Sequence, residues 1–260
     1  LFLCNRQKTA FYLLTMPGGK PFQTKVLSAQ LGTTRLSFAP PELPKPGASV
    51  RVGVARDKAF CFFYEDSLAL LRKLGAELVD FSPLEDEALP ENLQGLYLPG
   101  GYPELYAEAL SQNEAMRESV RKAVTGGLPC IAECGGFMYL TEAIGDFPMA
   151  GALKGGCFDT GKLTRFGYVT LTAQKDNLLC RAGETIPAHE FHHWDAEHPG
   201  EDFLAEKLSG RSWPCAHASK TLYAGFPHFH FYANPSFAVR FLDACRKESC
   251  HAERPQAHGD

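Results

Sequence analysis

From Val50 onward, short apolar runs alternate with stretches whose apolar residues recur at helical spacing. Arg51-Val52-Gly53-Val54-Ala55 reads as a buried strand, and Leu68, Leu70, Leu71 and Leu74 mark one face of a helix that Gly75 stops. Glu77–Phe81 and Gly95–Pro99 supply two more strands. Pro103 is placed to open a helix running to about Val124, because a first helical turn tolerates proline. A further apolar run, Leu128-Pro129-Cys130-Ile131, leads into Ala132-Glu133-Cys134-Gly135-Gly136, and Phe137–Ile144 is helix-like again. This alternation predicts an α/β chain of βα units around a largely parallel central sheet. After Gly151 the pattern is strand-rich, at Tyr168–Thr172, Ala188–Phe191 and Phe229–Tyr232, and a closing helix spans about Pro235–Cys245. Residues 1–49 read as a linker or the remnant of a preceding domain, ending in the proline-rich stretch Phe38–Gly47, and residues 50–260 as the domain proper.

Chemistry enters at Cys134. A cysteine between a buried strand and a helix, followed at once by two glycines, is the cysteine form of a nucleophile elbow. The sharp turn lifts the side chain clear of the sheet, and the glycines let a substrate carbonyl approach the backbone. A helix N-terminus favours thiolate over thiol. A buried structural cysteine is the plain alternative; it suits Cys130, inside the strand, but leaves the paired glycines unexplained. Sites in such sheets gather at the carboxyl ends of strands, and Asp57, Gly100, Gly101 and Cys134 all fall just past strand ends. Gly100 and Gly101 are expected to present a backbone N–H to a developing oxyanion, with the N–H of Gly135 as second donor.

An ordered set of segments carries a family resemblance from Val50 to about Cys245: Val54–Tyr64, Phe81-Ser82-Pro83-Leu84, Leu98–Glu104, the cysteine elbow, Arg165-Phe166-Gly167-Tyr168, His189-Glu190-Phe191-His192 and His228-Phe229-His230. With these the chain resembles the C-terminal glutaminase domain of the cobyrinate a,c-diamide synthases, a class I glutamine amidotransferase fold. The resemblance implies a doubly wound, flavodoxin-like core and a Cys–His dyad hydrolysing L-glutamine. It places the histidine at His228, with His230 the rival on what reads as an alternating strand pointing both rings to one face. Class I triads carry a glutamate two residues after the histidine; here that position is His230, which leaves Glu133 and Glu190 as candidate supporting acids. Arg56, Asp57 and Lys58 are expected to face a synthetase domain or the acceptor's carboxylates, and Phe60, Phe62 and Phe63 to plug the core. The resemblance further implies ammonia transfer to an ATP-dependent synthetase domain, with Mg-ATP bound there, and cobyrinate as acceptor. Hydrogenobyrinate or nickel-sirohydrochlorin are alternative acceptors. No cofactor is expected in this domain.

Three other motifs compete. His189-Glu190-Phe191-His192-His193 satisfies the HExxH zinc pattern, which would make a zinc peptidase of His189, Glu190 and His193. That motif needs a helix, and Pro187 just before it argues against one. Gly156–Lys162 imitates a phosphate-binding loop until Leu163 replaces the Ser/Thr, and Gly18-Gly19-Lys20 is followed by Pro21. A non-catalytic interaction module is the remaining alternative.

Composition narrows the field. A chain of 260 residues with 45% hydrophobic content can bury a substantial core, and a net charge of -4 leaves no basic footprint for nucleic acid. No apolar run approaches the ~20 residues of a membrane span, and Leu1-Phe2-Leu3-Cys4 is too short for a secretory core. Nine cysteines without CxxC pairing point to reduced thiols in a cytoplasmic enzyme. A start at Leu1 rather than methionine is consistent with a fragment or processed form.

Overall fold

The computed structural model describes residues 28–31, 34–37, 43 and 45–252. Gly18-Gly19-Lys20 and most of the proline-rich stretch lie outside those residues. The chain divides into two units, Leu1–Pro44 and Lys45–Asp260. In the first, β1 (Ser28–Leu31) and β2 (Thr34–Ser37) form an antiparallel pair.

The second unit begins β3 (Val50–Ala55), α1 (Glu65–Lys73), β4 (Ala76–Phe81) and β5 (Gly95–Leu98). A short 3₁₀ turn, Pro103–Tyr106, leads to α2 (Ala107–Gln112) and α3 (Glu114–Thr125), and then come β6 (Cys130–Glu133) and α4 (Gly135–Leu140). Small strands β7 (Ala143–Ile144), β8 (Phe147–Pro148) and β9 (Gly156–Asp159) follow, then the long β10 (Arg165–Ala173) and β11 (Thr185–His192). The remainder is β12 (Trp194–Ala196), β13 (Phe203–Glu206), β14 (Ser212–Cys215), β15 (His217–Ala218), β16 (Leu222–Gly225), β17 (His228–Phe229) and α5 (Pro235–Ala252).

The central sheet runs β15-β16-β6-β5-β3-β4. All neighbours from β4 to β16 pair in parallel, and β15 closes the edge antiparallel. Counted in chain order, the parallel strands stand 2-1-3-4-5, the flavodoxin arrangement. Such strands are covered on both faces, so they read as continuous apolar runs; every residue of β5 and β6 is buried. One face packs on α1, α5 and a five-stranded antiparallel sheet, β14-β13-β10-β11-β17, with Val52, Val54, Leu71, Phe229 and Phe241 in the shared core. The other packs Leu96, Leu98, Ala132 and Ala224 against α2, α3 and α4 through Leu110, Val120 and Phe137.

Element ends follow local chemistry. Helix α1 carries Glu65 and Asp66 in its first turn and Arg72 and Lys73 in its last, matching the helix dipole, and Gly75 at φ 104 ends it. The helix expected from Pro103 to Val124 is three pieces. Asn113 breaks it, its side chain accepting the Met116 N–H to cap α3 and donating to the carbonyls of Pro83 and Asp86. Helix α4 stops at Leu140 because the Thr141 hydroxyl donates to the Met138 carbonyl as the backbone turns extended. The strand expected through Tyr232 ends at Phe229, and Phe231–Ala233 forms a 3₁₀ turn.

Candidate active site

Cys134 follows the last residue of β6 at φ 47 and ψ -102, a backbone conformation L-residues rarely adopt. Two bonds fix this elbow: the Cys134 N–H donates to the Gly225 carbonyl at 2.7 Å, and its own carbonyl accepts from the Met138 N–H at 2.9 Å. The turn brings α4 hard against β5. A Cβ on Gly136 would lie 2.1 Å from the Leu98 carbonyl oxygen, which makes glycine obligatory there.

The same anchoring delivers the histidine. Gly225 ends β16, and only Phe226 and Pro227 separate it from His228. Their turn is propped by the Tyr223 hydroxyl, which donates to the Pro227 carbonyl at 3.2 Å. The imidazole lies beside Cys134 and interacts with its sulfur electrostatically, and its Nδ1 stands 3.4 Å from Glu133 Oε2. With Nδ1 facing Glu133, Nε2 is the nitrogen left for the sulfur. Burial opposes a charge on His228, but the Cys134 sulfur and the Glu133 carboxylate outweigh it and push the imidazole up to about 10. Phe62 lies on the ring at 4.6 Å between centroids, and Cys134 and His228 are only 7% and 4% exposed.

His230 goes elsewhere. Its Nε2 meets Asp66 Oδ2 at 2.8 Å, and its ring packs on Tyr64 at 5.0 Å. The two histidines do not share a strand, because β17 ends between them. Of the two candidate acids, Glu133 is the one on the His228 ring. Glu190 faces the core from β11, near Trp213 and Arg165; burial pushes its carboxyl up to about 7 against those partners.

Gly100 and Gly101 follow β5 on the other side of the histidine. A Cβ on Gly100 would fall 2.3 Å from His228 Cε1, so the strand end lies flat against the ring. Gly101, at φ 155, would place one 2.0 Å from the Ala59 carbonyl oxygen. The Cβ position of Gly135 is 3.1 Å from the Gly101 nitrogen, which brings the two expected oxyanion donors together beside the elbow.

The Arg56–Tyr64 loop is internal architecture. Asp57 accepts from the Ala59, Phe60 and Leu84 N–H groups and from the Ser82 hydroxyl, so its carboxylate is engaged within the loop. Arg56 pairs with Glu65 and Asp80 and stacks on Phe63 at 4.5 Å, while Lys58 is exposed. Of the three residues expected to face a partner, Lys58 is the one left outward. Phe60 is buried as expected, whereas Phe62 covers His228.

The HExxH segment lies on β11, a strand, so Glu190 is buried in the core while His189 and Phe191 take the other face. His192 faces inward, stacked on Phe226 at 4.0 Å, with Nδ1 2.6 Å from the Trp194 carbonyl; burial lowers its pKa to about 4 and keeps it neutral. Gly156–Lys162 forms β9 and a turn with Gly161 at φ 66, not a strand–loop–helix phosphate site. Sequence reasoning missed Tyr97, whose hydroxyl donates to Glu133 Oε2 at 3.2 Å, and the cover supplied by Phe62.

Cobyrinate a,c-diamide synthase of Caldanaerobacter subterraneus subsp. tengcongensis is 41% identical over 206 residues, 75% of this chain and 45% of the relative. That of a Synechococcus species is 40% identical over 77% of this chain and 45% of its own length. The chain thus spans under half the length of these curated relatives. PurLQS from Thermotoga maritima shares the fold, with a TM-score of 0.54 at 16% identity over 76% of this chain and 98% of that one. Residues 51–236 match the model of the CobB/CobQ-like glutamine amidotransferase domain, and the chain belongs to that family.

Proposed function

We propose that this chain is the glutamine-hydrolysing part of a cobyrinate a,c-diamide synthase. The observation that carries the reading is the strained elbow at Cys134, φ 47, with the buried His228 imidazole beside its sulfur. The Cys134 thiolate attacks the side-chain carboxamide carbon of glutamine. The N–H groups of Gly101 and Gly135 receive the oxyanion, where one such donor is worth roughly 2.7–4 kcal/mol. His228 Nε2–H gives its proton to the departing nitrogen as the C–N bond breaks, releasing ammonia and leaving a thioester. Neutral His228 then takes a proton from water, the hydroxide adds to the thioester, and glutamate leaves as the thiolate returns.

The ammonia passes to an ATP-dependent synthetase domain that amidates the a- and c-carboxylates of cobyrinate. Mg-ATP belongs to that domain; the Gly156–Lys162 strand and turn do not fit a nucleotide phosphate. Seven free cysteines among the described residues support a reducing, cytoplasmic setting. The test is glutamine-dependent ammonia release by the chain, with and without the synthetase half of a relative. Cys134→Ser is expected to abolish it with the fold intact, and undiminished release by the folded variant would contradict the assignment.

A further inference from the structure

Glu133 holds an unusual position for a carboxylate. It is 1% exposed, at the end of a fully buried strand, and beside it stands the His228 imidazole. Its Oε1 has no hydrogen-bond partner in the structure, and its Oε2 is shared between His228 Nδ1 at 3.4 Å and the Tyr97 hydroxyl at 3.2 Å. The groups that face it are Tyr97 from β5, Tyr64 from the loop before α1, Tyr223 from β16, and Cys134 and His228 themselves. No lysine or arginine is among these.

A carboxylate with one long bond to a histidine is free to rotate about its own side chain. The hydrogen bond from Tyr97 removes that freedom. Tyr97 pairs in register with Ile131 on the neighbouring β6, two residues before Glu133. Alternation puts Ile131 and Glu133 on one face, so the tyrosine lies along that face and its hydroxyl reaches the next pair up. The ring is 2% exposed and sits in the core, so its position is fixed by packing. A phenylalanine there would fill the same volume and lack only the donor.

Resting on the proposed hydrolysis, we infer that Tyr97 is a positioning residue, which clamps Glu133 Oε2 against His228 Nδ1 and through it keeps the catalytic imidazole oriented. The hydroxyl suits this task because burial and the neighbouring Glu133 raise its pKa well above the usual tyrosine range, so it stays a donor at every working pH. Its effect on Cys134 is indirect, carried by the carboxylate and the ring.

The test reads the histidine and not turnover, so it stands apart from whether the chain alone hydrolyses glutamine. Histidine labelled at Cε1 is incorporated into the wild type, Tyr97→Phe, Glu133→Gln and the double variant, and the His228 resonance is followed against pH by NMR. Tyr97→Phe is expected to lower the His228 midpoint by about one pH unit, the tenfold change that loss of one ordinary hydrogen bond represents. Glu133→Gln is expected to lower it further, and adding Tyr97→Phe to it should change nothing more, because the tyrosine acts through the glutamate. A wild-type midpoint in folded Tyr97→Phe would overturn the proposal, as would additive shifts in the double variant. Failure of Tyr97→Phe to fold would assign the residue to core packing and overturn it equally.

Discussion

Gly100→Ala is a single-methyl perturbation aimed at the His228 ring. The glycine does not occupy the left-handed backbone region, so an alanine brings no backbone strain. The new Cβ, however, would lie 2.3 Å from His228 Cε1, 3.2 Å from Nε2 and 3.3 Å from Nδ1. Carbon atoms in contact sit about 3.5–4.0 Å apart, so the ring must retreat by more than about 1 Å. His228 has nowhere free to go: it is 4% exposed, covered by Phe62, and held by Cys134 and Glu133. A 1 Å misplacement of a catalytic group costs on the order of 100-fold in rate, and the overpacking costs about 1–3 kcal/mol of stability. The assays are glutamine-dependent ammonia release and urea unfolding, each in the wild-type and His228→Ala backgrounds. In the first background both activity and stability should fall. In His228→Ala the clash partner is gone, and Gly100→Ala should cost almost no stability. Wild-type activity in Gly100→Ala, or an equal stability loss in both backgrounds, would refute the contact between strand end and ring.

His228→Ala should reduce glutamine hydrolysis by ~10²–10⁴-fold, whereas His230→Ala, which removes the hydrogen bond with half-exposed Asp66, should leave kcat within a few-fold; steady-state kinetics of the two variants decide this. Glu190 bears on pH-dependent stability. Its carboxyl is raised to about 7 in the folded chain, so folding favours the protonated form, and stability from this group is present at low pH and lost as pH rises from about 4.5 through 7. Glu190→Gln should therefore raise the thermal midpoint at pH 8, by up to ~3 kcal/mol in free energy, and have little effect at pH 5; equal effects at both would show the acid to be normally ionised.

Most of the fold was legible because parallel strands buried on both faces carry their own signal. β3, β4 and β5 fall within a residue of the apolar runs that predicted them, and β6 overlaps the run Leu128–Ile131 with a two-residue shift. Errors came where a side-chain hydrogen bond overrides periodicity. Asn113 ends one helix and caps the next inside a continuous helical pattern, and Thr141 ends α4 early. His228-Phe229-His230 reads as alternation, yet the chain leaves the sheet at Phe229 because α1 supplies different partners, with Asp66 for the His230 ring and the Ser67 hydroxyl for the Phe231 N–H. At the site, Cys134 and its glycines were readable because an elbow constrains backbone and residue type together. Tyr97 was not, since a tyrosine inside an apolar strand looks like core until its hydroxyl is seen on Glu133. Asp57 misled for the opposite reason: a charged residue past a strand end suggests a binding group, but here it closes its own loop.

The central claim is that Cys134 is the nucleophile that glutamine meets. It is tested most directly by incubating the protein with a glutamine analogue bearing an electrophilic carbon in place of the carboxamide, then mapping the adduct by peptide mass spectrometry. The account predicts one adduct per chain, on Cys134, slowed by excess glutamine and nearly lost in His228→Ala. Exposed Cys61, in the same molecule, serves as internal control. Labelling of Cys61 at a rate equal to that of Cys134, or an adduct on Cys134 that glutamine does not protect, would contradict the account.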